Sequence, residues 1–138
     1  MNAIFADTSF FIALIEKSDQ YHHAAVAFSR QNRRPLITSS AVALELGAYF
    51  SKGPRRPLFS LCLQAIERAH VEQVHVTHQL QERAIALFND RPDKEYSLVD
   101  CISFVLMTEA GIRDAATTDG HFEQEHFSAL LRNLQPRS

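Results

Sequence analysis

Asp7, Glu45, Asp100 and Asp119 lie scattered along a chain of 138 residues, each where a hydrophobic strand ends or a helix begins. Strand ends and helix starts in an α/β sheet can converge on one crevice, so residues this far apart in sequence can share a site. Like charges about 4 Å apart repel by roughly 4 kcal/mol per pair at an effective dielectric near 20. A converged set of four therefore calls for a cation. All-oxygen carboxylate sets suit hard ions, which favours Mg²⁺ or Mn²⁺ over Zn²⁺. An ion of that kind acidifies water and holds a phosphate oxygen, the ingredients of phosphodiester hydrolysis.

Each acid also has a plainer explanation. Helix N-termini favour carboxylates, and Asp100 follows Ser97 by three residues, the spacing of a capping box. Asp7 and Asp119 stand where they could cap the helices that follow them. Glu45 interrupts the apolar run Ala41-Val42-Ala43-Leu44 and Leu46-Gly47-Ala48 in the second turn of a helix, where capping does not apply. Exposure on a polar helix face is the alternative for that residue.

The elements that must position these acids follow from periodicity. Residues 3 to 6 form a short apolar strand ending at Asp7, and Thr8-Ser9 precedes a helix carrying Phe10 to Ile15. A second helix is expected from about Gln20 to Arg30, and Pro35 marks the entry to the strand Leu36-Ile37-Thr38. Ser39-Ser40 caps the helix that holds Glu45, and Gly53-Pro54 ends it. Leu58 to Ala69 reads as a helix, Val71 to Val76 as an alternating strand, and His78 to Asn89 as a helix. After a polar loop at 90–95, Ser97 opens an apolar helix that Gly111 stops. Asp114 to Thr118 is a short strand delivering Asp119, and a short helix starts at Gly120. Helices alternating with short strands predict a three-layer α/β/α sandwich on a short parallel sheet.

With 46% hydrophobic and 22% charged residues the chain has the composition of a globular fold, and its length suits a single domain over 1–138. Residues 135–138 are expected to form a flexible tail. A formal net charge of -2 argues against a uniformly basic nucleic-acid-coating protein. Local clusters remain at Arg30, Arg33 and Arg34, and at Lys52, Arg55 and Arg56, readable either as solvated loop charges or as grips for a polyanion backbone. Cys62 and Cys101 sit in apolar helical patterns without metal-ligand spacing, which predicts buried reduced thiols. The apolar run from Phe10 to Ile15 is too short to span a bilayer and no basic leader precedes it, so the expected location is cytoplasmic, with no membrane partner. His121 and His126, five apart, miss the i, i+4 spacing of paired helical ligands and read as surface or packing residues.

Together, Ala6-Asp7-Thr8-Ser9 with its apolar helix, Ser39-Ser40 followed by Glu45, Ser97-Leu98-Val99-Asp100, and Ala116-Thr117-Thr118-Asp119-Gly120-His121-Phe122 resemble the PIN-domain ribonucleases. Within them the likeness is to VapC-like toxins of type II toxin–antitoxin systems, and it covers nearly the full length. It implies metal-dependent endonucleolytic cleavage of RNA, commonly at single-stranded or loop segments of structured RNA; attack by a metal-bound water would leave 5′-phosphate and 3′-hydroxyl ends. It implies Asp7 and Asp100 as principal metal ligands, with Glu45 and Asp119 completing the catalytic, metal-binding set. Thr8 or Ser9 and Thr118 would position water or phosphate. A cognate antitoxin and a homodimer are the implied protein partners. Gly120 departs from the pattern, since relatives often carry a larger polar residue there.

Two rivals belong to other classes. A module with the same fold could bind RNA or protein without cutting. A phospho-acceptor receiver domain would need an acidic pair after the first strand and a lysine after a late one, whereas Asp7 stands alone and Lys17, Lys52 and Lys94 are misplaced.

Overall fold

The computed structural model describes residues 2–134. Five parallel strands form one sheet in the order β3-β2-β1-β4-β5: β1 Ile4–Ala6, β2 Leu36–Ser39, β3 Glu72–Val74, β4 Asp114–Ala116 and β5 Ser128–Ala129. Register pairs Ile4 with Leu36 on one side and with Asp114 on the other. The central strand β1 is buried at all three positions, as expected of a parallel strand covered on both faces.

The described residues include seven α-helices: α1 Thr8–Ile15, α2 His22–Gln31, α3 Ser40–Tyr49, α4 Arg56–Arg68, α5 His78–Asp90, α6 Leu98–Ala110 and α7 His121–Gln124. Helix α1 packs against α2, α3 and α4, while α5 packs on α6. The chain builds outward from β1 to β2 and β3, then returns across β1 to place β4 on its other side. That reversal makes the boundary between β1 and β4 the topological switch point, where an open α/β sheet leaves a crevice beyond its strand ends.

Local chemistry explains the helix limits. Ser39 accepts from the Val42 N–H and Thr77 from the Leu80 N–H, satisfying first-turn donors of α3 and α5. Gly111 ends α6 in the left-handed region at φ 70°, where a side chain would be strained. The core joins Phe5, Phe10, Phe11, Phe104 and Phe122 with Leu46 and Met107. Cys62 and Cys101 are buried and free, and burial pushes their thiols up to about 12 and about 11.

The sequence expectations differ from this fold in detail. The strand expected over 71–76 pairs only at Glu72–Val74, and the strand expected from Asp114 to Thr118 stops at Ala116, where the Thr117 side chain bonds to Asp7 and the Thr118 N–H to Ser9. Strand β5 has only two residues, too few for any periodicity to show. The tail expected at 135–138 lies outside the described residues.

Candidate active site

Asp7, Glu45, Asp100 and Asp119 line one cleft of about 390 Å³, together with Thr8, Ser9, Ile12, Tyr49, Glu95, Ser97 and His121. Strand β1 delivers Asp7 and the turn after β4 delivers Asp119, so the two reach the cleft from neighbouring strands. Helix α3 contributes Glu45 and the first turn of α6 contributes Asp100.

Asp7 is 5% exposed and does not cap α1, although it occupies the N-cap position. Its Oδ2 accepts from Thr117 Oγ1 at 2.8 Å and from Ser9 Oγ at 2.9 Å. A hydroxyl has one proton to give; the backbone N–H groups that donate to these two occupy lone pairs, and the protons serve Asp7 and the 3.0 Å contact between the two hydroxyls themselves. The Thr118 N–H donates to Ser9 Oγ and the Asp119 N–H to Thr117 Oγ1, each at 3.0 Å. One carboxylate oxygen is thereby fixed, and the other accepts no hydrogen bond among the described residues.

Asp100 does form the capping box with Ser97, so here the plain explanation and the functional one hold together. Its Oδ2 accepts from the Ser97 N–H at 3.0 Å and lies 3.1 Å from His121 Nδ1. Asp119 Oδ1 accepts from the His121 N–H at 2.8 Å and lies 3.4 Å from the same ring nitrogen. Asp100, Asp119 and His121 thus present ligand-type atoms within 4.8 Å of one another, a set that could hold a metal ion. Asp7 and Glu45 border the same cleft outside that tight group.

Burial pushes the Asp7 carboxyl up to about 7; the Thr117 hydrogen bond opposes the shift, and the charges of Asp100 and Glu45 add to it. Burial, with the charge of Asp119, also raises Asp100 above the ordinary carboxylate range, against the opposing Ser97 N–H and His121. Glu45 rises through burial and through Asp100 and Asp119; Thr8 eases this shift, yet the buried Thr8 hydroxyl makes no hydrogen bond of ordinary geometry among the described residues. Converging carboxylates with raised proton affinity beside an orphaned buried hydroxyl fit a hard divalent cation and its water.

Thr118 differs from the sequence expectation: it serves the site through its backbone and does not line the cleft. Arg34, Arg55 and Arg56 of the two basic clusters have partners within the protein. Arg34 pairs with Asp114 at the start of β4, the end of the sheet opposite to Asp7, and so stands away from the cleft. Arg55 is paired with Glu16, and Arg56 donates to the Ser51 carbonyl. At Gly120 the Arg132 guanidinium occupies the space beside the missing side chain: a Cβ would stand 3.4 Å from Cζ, and Nη1 donates to the Thr118 carbonyl at 3.3 Å.

Residues 4–125 match the family model of the PIN domain. The chain belongs to the PIN domain family. Among PIN-family relatives, the 23S rRNA-specific endonuclease VapC20 of Mycobacterium tuberculosis is 32% identical over 126 residues, in both strain CDC 1551 / Oshkosh and strain ATCC 25618 / H37Rv. That likeness covers 90% of this chain and 95% of the relative. The crystal structure of M. tuberculosis VapC20, a Sarcin-Ricin loop cleaving toxin, matches with a TM-score of 0.85 and 28% identity, covering 91% of this chain and 97% of that one. VapBC2 from Rickettsia felis, bound to a DNA fragment from its promoter, shares the fold at a TM-score of 0.64 and 14% identity, over 88% and 92% of the two chains.

Sequence reasoning missed several residues of this PIN-domain site, among them Thr117, His121 and Tyr49. Thr117 orients Asp7, His121 bridges two carboxylates, and Tyr49 lines the cleft. Thr117 and His121 each stand two residues from Asp119, and Tyr49 is one helical turn beyond Glu45. Proximity in sequence to a candidate acid was the available signal, and helix spacing carried it for Tyr49.

Proposed function

We propose that this PIN-domain protein is a VapC-type toxin, an endoribonuclease that hydrolyses a phosphodiester bond in structured RNA with the help of Mg²⁺ or Mn²⁺. The observation that carries this reading is the convergence of Asp7, Glu45, Asp100 and Asp119 on one cleft at the switch point of the sheet. The likeness to VapC20 supports a ribosomal RNA loop as the substrate class.

In this reading Asp7 and Asp100 would be the principal ligands of the cation, with Glu45 and Asp119 completing the set directly or through water. The cation, when bound, neutralises the carboxylates, acidifies water and stabilises charge developing on the phosphate. Ser9 and Thr117 hold Asp7 in one orientation, and Ser97 and His121 do the same for Asp100. Well-oriented ligands lose little conformational entropy on binding. Glu45, with its raised proton affinity, is suited to accept a proton from the attacking water at a carboxylate oxygen. The orphaned Thr8 hydroxyl is placed to hydrogen-bond that water or a phosphate oxygen, and Thr118 keeps Ser9 in register through its N–H. As the water oxygen bonds to phosphorus, the bond from phosphorus to the 3′-oxygen breaks and that oxygen takes a proton from solvent, giving 5′-phosphate and 3′-hydroxyl ends.

A cognate antitoxin occupying the acidic groove, a homodimer, and action in the cytoplasm complete the proposal. Among the described residues no helix is long and apolar enough to cross a membrane.

The test incubates purified protein with structured RNA and Mn²⁺, comparing wild type with Asp7→Asn and Asp100→Asn. Cleavage lost in both variants is expected, and equal cleavage by all three overturns the reading. Binding without products under several divalent metals would leave a non-cleaving RNA-binding module instead.

A further inference from the structure

Resting on the ribonuclease reading, we infer that Tyr49 is a stacking platform for one unpaired nucleobase of the RNA, next to the phosphate held at the acids. Tyr49 and Glu45 are i, i+4 neighbours on α3 and both line the cleft, so the ring stands one helical turn from the Glu45 carboxylate. Ile12 lines the same cleft, which gives it apolar surface beside its acidic residues.

The ring is held in place from outside the cleft. Its hydroxyl donates to Glu16 Oε2 at 3.0 Å, and the Arg55 guanidinium lies 4.5 Å from the ring centroid. Glu16 also pairs with Arg55, so the three side chains lock one another. Phe50 meets the ring edge-on at 4.8 Å. Despite these contacts Tyr49 remains 43% exposed. An aromatic ring fixed at its hydroxyl and carrying a cation over one face is prepared for a π-partner on the other. A cleft of about 390 Å³ is larger than a phosphate and its ion need, and the excess has an aromatic wall.

Only a base already out of a helical stack can lie on such a ring, because stacked bases present edges to a protein surface. Tyr49 thereby selects looped or single-stranded RNA and tolerates any base identity, since every base has a π-face. The Arg55 and Glu16 side chains act as positioning residues for the ring.

The chain contains no tryptophan, so Tyr49→Trp introduces a single reporter whose emission a stacked base would quench. Tyr49→Phe keeps the ring and Tyr49→Leu keeps apolar bulk, so a folded comparison exists even if Tyr49→Ala fails to fold. The expected result is a KM for loop RNA about 5- to 150-fold higher in Tyr49→Leu with kcat little changed, near-wild-type values in Tyr49→Phe, and quenching of Tyr49→Trp by loop RNA but not by duplex RNA. Wild-type cleavage with unchanged KM in Tyr49→Leu and no quenching overturns the platform and spares the ribonuclease reading. Quenching without any wild-type cleavage supports the platform and overturns the ribonuclease reading. Neither cleavage nor quenching overturns both.

Discussion

Thr117 Oγ1 donates a 2.8 Å hydrogen bond to Asp7 Oδ2 across 110 positions of sequence, joining the ends of β4 and β1 at the floor of the acidic cleft. That bond is the main influence opposing the upward shift of Asp7. Replacing Thr117 with Val keeps the shape and removes the donor. Outer-shell partners of metal ligands typically govern about 10–100-fold in affinity or activity. A Mn²⁺ titration of cleavage by Thr117→Val should therefore shift to higher metal concentration by that order, with the acid limb of the pH profile moving upward.

Asp7 makes metal-free stability depend on pH. Its folded pKa of about 7 exceeds its ordinary 3.8, so the folded state holds the proton more tightly than the unfolded one. The stability this contributes is fully present below about pH 4 and lost as pH rises through about 7, with a size on the order of a few kcal/mol. Melting in EDTA should show a lower Tm near pH 8 than near pH 5. Mn²⁺ favours the ionised acids and should raise Tm more at the higher pH. A metal-induced shift that is equal at both would contradict the assignment.

Asp7→Asn separates stability from activity. Asparagine offers a carbonyl oxygen to Ser9 and Thr117 and carries no buried charge, so the metal-free variant should melt higher than wild type near pH 8 while losing cleavage. A variant that loses both would place Asp7 among the residues on which folding depends.

His121 contacts both Asp100 and Asp119, and its presence lowers the proton affinity of Asp100. His121→Ala should move the acid limb of the cleavage profile upward and reduce activity by about tenfold or more. Ser97→Ala gives the complementary result: the lost cap costs about 1 kcal/mol of stability, while the backbone N–H at position 97 still donates to the Asp100 carboxylate, so cleavage by the folded fraction should change little. Thermal melts paired with initial rates distinguish the two variants.

Gly111 supplies a control remote from the cleft. At φ 70° an alanine is strained, so Gly111→Ala should cost about 1 kcal/mol in stability, read by urea unfolding, with cleavage by the folded fraction unchanged.

Local sequence already determined a good deal. The apolar run before Asp7, the Ser39 and Ser97 caps and the Gly111 stop follow from hydrophobic periodicity and backbone chemistry, which act over a few residues. They placed most elements to within a few residues and set the acids at element ends in an order that resembles one family. Tertiary structure decided what those acids touch. The order β3-β2-β1-β4-β5 brings Thr117 beneath Asp7 and sends Arg34 to the far end of the sheet, and no local pattern encodes strand order. Asp7 looked like a helix cap and caps nothing; Asp100 looked like one and is one, while facing the cleft as well. His121, read as a surface or packing residue, stands between two carboxylates because α7 starts over the first turn of α6. The physical reason is range: capping and periodicity are short-range effects, whereas desolvation and like-charge repulsion exist only after the sheet has gathered the acids into one cleft.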